Sequence, residues 1–450
     1  MSDFEESIMN NQFSLLTQNR FRPFFWTQGL GAFNDNVFKT ALITQVTFNT
    51  ASLTTLDGST LVTLLPGLFI LPFFLFSASA GQLADKYEKS QIIRLVKLLE
   101  IAIMLFASIG FLIHSLAMLA LALFLMGVHS TMFGPVKYSY LPQHLKANEL
   151  TAGNGLVEMG SFVAILLGQV LGAWLGSLPQ HEFFTSLSIL LIAVSGYHIS
   201  RSIPLSPAPV PDMKINWNPI SETINNVRIF WAQQTLWVGI IAISWFWFFG
   251  ATLLAQFPNL ARTVLHGSER DFIVLLSIFS VGVGVGSVWC EKLSKGRQEL
   301  GLVMLGAAGM SLFAWDFAAS AASIQQQFMT QACLRIQVFN FIDYWRMLAD
   351  VALLGVSGGL YIVPLYVLLQ SRVEARYQSR VIAANNIMNA LFMVLSAGFS
   401  LLLFGQGLSI PQLFSVTAGL NLLVAGYLCL RQPEYWLSSV AYVKRWFASE

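Results

Sequence analysis

The sequence predicts an all-α membrane protein with twelve transmembrane helices in two pseudo-symmetric six-helix bundles. Three observations carry this: an apolar composition, twelve stretches long enough to cross a bilayer, and a one-sided distribution of Lys and Arg. Of the 450 residues, 55% are hydrophobic and only 11% charged, against roughly a quarter charged in soluble domains. Mean hydropathy is +0.63.

A helix of about 20 apolar residues crosses the ~30 Å hydrocarbon layer. Stretches of that kind occupy 24–47, 59–82, 92–113, 116–135, 152–176, 183–200, 236–257, 272–291, 299–318, 347–370, 380–404 and 410–430. With an even number of spans both termini share a side. The segments on that side carry twenty of the 25 Lys and Arg, with Lys97 and Lys137 counted there. The opposite loops carry only Arg262, Arg270, Arg335 and Arg346, and Lys39 lies inside a span. Basic loops stay in the cytoplasm, so both termini are expected there. The polar leader Met1–Arg22 holds Asp3, Glu5 and Glu6 and lacks the basic start and cleavage site of a signal peptide. The first apolar stretch is therefore expected to remain as a helix.

The organisation that follows is a cytoplasmic leader (1–23), an N-terminal six-helix bundle (24–200), a cytoplasmic linker (201–235), a C-terminal bundle (236–431) and an interfacial tail (432–450). The linker opens Pro-rich, then turns amphipathic through Ile220, Ile224, Val227 and Trp231. The tail sets Trp436, Val440, Val443 and Phe447 on one face beside Lys444 and Arg445, as in helices that lie on a leaflet. Loop 319–346 is long enough to hold a surface helix. A net charge of +2 points to no nucleic acid, because the basic residues are placed for topology. Cys290, Cys333 and Cys429 fit no metal or disulfide framework.

The halves echo one another. Gly81-Gln-Leu-Ala-Asp85-Lys86-Tyr-Glu-Lys89 after the second span is matched by Gly286-Ser-Val-Trp-Cys-Glu291-Lys292-Leu-Ser-Lys295 after the eighth. Ala152-Gly-Asn154-Gly-Leu-Val-Glu158 in the fifth is matched by Ala383-Ala-Asn385-Asn-Ile-Met-Asn389 in the eleventh. Parallel repeats of this kind place a substrate site near the midplane.

An ionisable group at mid-bilayer costs about 2.5–3.5 kcal/mol on insertion scales, so each one asks for a role. The first span holds Asn34-Asp35-Asn36-Val-Phe-Lys39. Asp35 and Lys39 are four apart, share a helix face and are expected to pair. Glu158 follows Asn154 by one turn and could bind a cation, carry a proton or pack against Lys137. Glu100 is a weaker candidate, since Arg94 and Lys97 precede it and it could snorkel. Asn385, Asn386 and Asn389 offer neutral donors and acceptors. In the loop set Gly81, Asp85, Lys86 and Lys89, with Glu291 and Lys292 as counterparts, the glycine lets helices approach and the charges pair at a gate.

Three enzyme-like motifs are set aside. Gly355-Val-Ser357-Gly-Gly359 fits a nucleophile elbow but sits within a span, where small residues pack helices. Gly282-Val-Gly-Val-Gly286 lacks the strand-to-helix setting of a dinucleotide site. His266-Gly-Ser-Glu-Arg-Asp271 fits an H-x4-D acyltransferase pattern but stands alone in a short outer loop. Catalysis is not expected, and no cofactor site is apparent.

The set Ala32-Phe33-Asn34-Asp35-Asn36, Gly81-Gln-Leu-Ala-Asp85, Phe133-Gly-Pro-Val-Lys137-Tyr138, Asn154-Gly-Leu-Val-Glu158 and Val363-Pro-Leu-Tyr-Val-Leu-Leu-Gln370 resembles the lysophospholipid transporter family of the major facilitator superfamily. Val381–Asn389 and the tail from Pro433 resemble more closely the transporter domain of fused transporter/acyltransferase/acyl-ACP-synthetase proteins. The resemblance implies the major facilitator fold in a bacterial inner membrane. It implies inward flipping of lysophospholipids such as lysophosphatidylethanolamine, by alternating access, for re-acylation by a cytoplasmic acyltransferase/acyl-ACP synthetase. Asp35 or Glu158 would take the ammonium and Lys39 or Lys137 the phosphate, with Tyr138 beside them. Two departures stand out. Gly81, Asp85, Lys86 and Lys89 resemble the superfamily's signature in the loop between the second and third spans, G-x-L-A-D-R/K, but Glu88 stands where that signature usually has glycine. Gly250–Pro258 lacks an arginine found in stand-alone members. Two alternatives stay open: proton-coupled transport of another amphiphile (a siderophore or drug), and a non-transporting anchor for lipid-repair enzymes.

Overall fold

Uninterrupted apolar runs favour helices, because in hydrocarbon every backbone N–H and C=O must find a partner within its own segment. The computed structural model describes residues 12–48, 58–231, 233–330 and 342–448 and shows twelve long helices among them. In the N-terminal half these are α1 (Arg22–Phe48), α2 (Gly58–Lys86), α3 (Lys89–Leu112), α4 (Leu116–His144), α5 (Leu150–Gly176) and α6 (His181–Ser200). A short helix α7 (Pro219–Trp231) follows in the linker. The C-terminal half adds α8 (Gln234–Asn259), α9 (Glu269–Ser294), α10 (Gly301–Thr330), α11 (Ile342–Arg372), α12 (Gln378–Gly405) and α13 (Ile410–Arg431), then the tail helix α14 (Glu434–Ala448).

Eleven of the twelve are long and apolar enough to cross a membrane by composition alone. The remaining one is α1, whose polar run Asn34–Lys39 lowers its hydropathy over 27 residues. This is a multi-pass membrane protein.

Packing divides the chain into two compact units. The first takes in residues up to Gly153, Val163–Gln233 and Leu369–Ala390; the second takes in Asn154–Phe162, Gln234–Leu368 and Leu391 onward. In the first unit α2 lies along α4, and α6 along both α1 and α3. Phe38, Leu42, Phe111, Leu123 and Met126 form its core. In the second unit α13 lies along both α8 and α10. The sixth span thus touches the first and third, and the twelfth touches the seventh and ninth. Corresponding helices make corresponding contacts, as a repeat requires.

Two enzyme-like glycine motifs are one packing joint. A Cβ on Gly282 would stand 3.1 Å from the Cα of Gly355, and one on Gly355 would stand 2.5 Å from the carbonyl of Phe279. Only glycine lets α9 and α11 approach so closely. In the acyltransferase-like motif, Asp271 does not orient His266. It caps α9 by accepting from the Ser268 N–H at 2.8 Å and accepts the Tyr344 hydroxyl at 3.2 Å.

The expected loop 319–346 is mostly helix. Helix α10 continues to Thr330 and α11 already begins at Ile342, so Arg346 belongs to a helix and not a loop. Polar pairs described below let both helices extend. The centre of that loop, 331–341, lies outside the described residues, together with Arg335 and Cys333. The amphipathic linker and tail segments are helices α7 and α14, with Ile220, Ile224, Trp231, Trp436 and Phe447 exposed. Ser439 on the inner side of α14 donates to the Gly301 carbonyl at 3.0 Å.

Candidate substrate and gating site

The polar patch of α1 meets a second polar set, on α3 and α4, inside the first unit. Asn34 Nδ2 donates to Glu100 Oε1 at 2.7 Å, and Lys97 Nζ donates to Glu100 Oε2 at 2.6 Å. His129 Nε2 stands 3.3 Å from the same Oε2. Ser130 donates its hydroxyl to Asp35 Oδ2 at 2.6 Å. Lys39 Nζ lies 5.4 Å from the centroid of the Phe69 ring, and Lys97 Nζ lies 5.8 Å from that of Phe133, both distances at which a ring face attracts a cation. Asn36 bonds back to the Ala32 carbonyl of its own helix.

This arrangement corrects three expectations. Among the described residues Asp35 and Lys39 share a face without forming an ion pair, because Ser130 of α4 takes the carboxylate and Phe69 of α2 faces the ammonium. Glu100 does not snorkel; it is fully buried, with Asn34, Lys97 and His129 around it. Lys97 is not a topology charge at a membrane surface but a buried partner, 1% exposed.

The cluster is not fully satisfied. Asp35 Oδ1, Asn34 Oδ1 and His129 Nδ1 are buried without a hydrogen-bond partner. Leaving such atoms unmade costs about 1–3 kcal/mol each, more for charged groups, so the patch is preorganised to receive donors.

The other expected residues fall elsewhere. Lys137 stands eight residues beyond His129 on α4, its Nζ 5.0 Å from the Tyr138 ring centroid. Tyr138 is buried, and its carbonyl accepts from Gln370 Nε2 at 3.1 Å. Asn385 is buried with neither amide atom partnered, and Asn386 and Asn389 are buried beside it on α12. Asn154 and Glu158 are buried on α5 and group with the second unit. There the neighbouring Met159 packs on Gly284.

In the first unit Asp85, one of the residues expected at a gate, takes partners other than those expected. Asp85 Oδ2 accepts from Arg380 Nε at 3.0 Å, and Asp85 Oδ1 accepts from the Ser379 N–H at 3.2 Å. Gly81 permits this approach, since a Cβ there would stand 2.7 Å from that of Ala383. Lys86 and Lys89 make no ion pair among the described residues. Lys86 lies beside the Tyr87 ring, and the Lys89 ammonium is buried without a hydrogen-bond partner. The counterparts in the second half are not a mirror latch either. Glu291 has a buried, unpartnered Oε2, and no ion pair joins it to Lys292 among the described residues.

Glu88 replaces the signature glycine for a visible reason. It caps α3 by accepting from Ser90 N and Gln91 N at 2.9 Å each, and it also accepts from the linker's Ser206 N at 2.6 Å. The linker is strapped further by Val210 N to the Asp85 carbonyl at 2.9 Å and by a reciprocal amide pair between Gln82 and Asn216. Burial pushes the Glu88 carboxyl up, but the hydrogen bonds from Ser206, Ser90 and Gln91 outweigh it and hold it below the ordinary value.

Sequence reasoning missed His129, Ser130, Arg380 and the strap. It had a signal for His129, an ionisable side chain within an apolar run, and for Lys97–Glu100, an i,i+3 pair within a span.

The chain is 25% identical over 353 residues to the lysophospholipid transporter LplT of Pectobacterium carotovorum, covering 76% of this chain and 77% of that protein. It is 26% identical over 353 residues to LplT of Enterobacter sp. strain 638, covering 76% and 80%. The fold matches the human organic anion transporter MFSD10 at TM-score 0.69 and 14% identity, covering 90% of this chain and 99% of that one. It also matches the Escherichia coli fucose:proton symporter FucP at TM-score 0.66 and 11% identity, covering 92% and 100%. With the match to the Major Facilitator Superfamily running from residue 24 to residue 397, the chain belongs to that superfamily of transporters.

Proposed function

We propose that this protein moves lysophospholipids, zwitterionic ones such as lysophosphatidylethanolamine, inward across the bacterial inner membrane by alternating access. Both termini would lie in the cytoplasm, on the side of the basic loops. The product would suit a cytoplasmic enzyme that re-acylates it. The observation that carries this reading is the Asp35 carboxylate, held on one oxygen by Ser130 and left unpartnered on the other, with the Lys39 ammonium on the same helix face. An anion and a cation one turn apart match an ammonium and a phosphate joined by two carbons. The likeness to the LplT transporters supports the same cargo.

A second reading, proton-coupled transport of another amphiphile, is favoured by His129, which faces Glu100 with Asp35 and Lys97 close by. Uptake of labelled lysophosphatidylethanolamine into proteoliposomes separates the two. Uptake abolished in Asp35→Ala and Glu158→Ala, with folding intact, supports the first reading and both residues. No uptake by folded wild type turns attention to the second.

A further inference from the structure

Outside the first-unit cluster, the second unit holds a polar seam that the transport reading does not use. Helices α10 and α11 run antiparallel there. On α10 the seam is Asp316, Ser323 and Gln327, and on α11 it is Asp343, Arg346 and Asp350; each set follows one helix face. Arg346 Nε donates to Asp316 Oδ2 at 2.9 Å, and its Nη2 bonds Oδ1 of the same carboxylate. One level further out, Ser323 and Gln327 both donate to Asp343 Oδ2, at 2.6 and 2.9 Å. Asp316 lies 15 residues past Gly301, roughly 22 Å along the helix, which sets the pair in the half of the membrane opposite the basic loops.

Two features separate this seam from a structural ion pair. The Asp316–Arg346 pair is open, with Arg346 53% and Asp316 34% exposed. Its surroundings are Leu312, Trp315, Trp345 and Leu353, all exposed, the composition of a surface that meets lipid near an interface. Behind the pair stands Asp350, 4% exposed, its carboxyl hydrogen-bonded to that of Asp316 and its Oδ2 without a hydrogen-bond partner. A buried carboxylate of that kind calls for a cation or a donor. Beyond its two bonds to Asp316, Arg346 keeps the Nη1 edge of its fork, and guanidinium suits phosphate.

We propose that the Asp316–Arg346–Asp350 seam binds the headgroup of a zwitterionic phospholipid from the leaflet opposite the basic loops, the phosphate on Arg346 and the ammonium on Asp350 and Asp316. Charge complementarity selects the occupant. With Asp343 one level out, three acidic side chains face one guanidinium, so the seam keeps an excess of negative charge even where Asp316 and Asp350 share a proton, and this favours a headgroup with an ammonium over a purely anionic one. Membrane-exposed flanks require that the headgroup arrive attached to an acyl chain, so one-chain and two-chain lipids both qualify. The site stands whether or not the chain transports lysophospholipid.

Binding, not transport, is therefore the test. A photo-crosslinking residue replacing Leu312, one turn from Asp316, is introduced into the full chain in phosphatidylglycerol nanodiscs. Labelled lysophosphatidylethanolamine, lysophosphatidylglycerol and diacyl phosphatidylethanolamine of matched chain length are offered in turn. Both ethanolamine lipids should be captured severalfold more than the glycerol lipid. Arg346→Gln should lower capture at least fivefold, and Asp350→Asn should erase the preference for ethanolamine. The double variant Asp316→Asn/Arg346→Gln leaves no lone charge of that pair, so it should keep the wild-type melting temperature while losing capture. Equal capture of ethanolamine and glycerol lipids overturns the proposal, as does capture unaffected by Arg346→Gln. Binding of labelled water-soluble phosphoethanolamine without lipid capture would assign the seam to a soluble headgroup-like solute and reject a lipid.

Discussion

Lys97 Nζ stands 2.6 Å from Glu100 Oε2 with both side chains 1% exposed, and Asn34 of α1 fills the other carboxylate oxygen. Two charges this deep are held by each other and not by water. Removing one partner strands the other, a loss of about 3–5 kcal/mol for buried pairs in general. Glu100→Gln should therefore lower the melting temperature of the purified protein sharply, while Lys97→Met/Glu100→Met should recover most of the loss. A single variant as stable as wild type would show that water already reaches the pair.

The Asp85–Arg380 contact predicts a different signature, because it joins helix ends and carries little of the core. Arg380 is 15% exposed and can rehydrate where Lys97 cannot, so Asp85→Asn, which keeps an acceptor for the Ser379 N–H, should slow transport several-fold with a smaller loss of melting temperature than Glu100→Gln. Reversing both charges, Asp85→Arg with Arg380→Asp, should restore part of the rate. Rates in proteoliposomes that fall equally for the single and the reversed double variant would remove the latch role.

Most of the fold was legible because hydrocarbon leaves a chain few choices. Span positions and the repeat follow from apolar run length and from motifs at matching places, and α7 and α14 follow from one-sided apolar spacing. The site was legible only where the charge sits on the same helix as its expected partner. Asp35 stood out, yet its hydrogen-bond partner Ser130 lies 95 positions away on α4, and no spacing rule spans that distance. Arg380 was counted as a topology charge although it bonds Asp85 across 295 positions. Loop 319–346 misled for the same reason: its polar residues read as surface, but Asp343 is matched by Ser323 and Gln327 on a neighbouring helix.

The linker strap makes a pH prediction. The Glu88 carboxyl is held below its ordinary value in the folded state, so its contribution is present above the unfolded carboxylate pKa of about 4.3. That contribution is lost only as pH falls through the lower folded value. Hydrogen exchange of the Ser206 amide, whose N–H binds Glu88, should stay slow from neutral pH down to about 4 and quicken below it. Glu88→Gln should exchange faster throughout. Protection that fades well above pH 4 would remove Glu88 as the controlling group.

The second unit carries its own buried polar node, and it predicts stability without transport. Asn421 of α13 accepts from Trp245 Nε1 at 2.7 Å, and its amide donates to the Ala307 carbonyl and the Ser311 hydroxyl at 2.8 Å each. One side chain thus ties α13 to α8 and to α10, the pairs that answer α6 with α1 and α3 in the first half. Hydrogen bonds between membrane helices are worth about 0.6 kcal/mol on average and up to about 1.7. Three bonds around a fully enclosed amide put Asn421→Leu at roughly 2 kcal/mol of lost stability on that scale, because the Trp245 N–H is left unpaired and the Ala307 carbonyl keeps only its helical bond. Trp245→Phe should cost less, since it removes one donor and keeps the ring's packing on Phe248. Unfolding in mixed micelles measures both, and equal losses would show that packing, and not the amide, holds α8, α10 and α13 together.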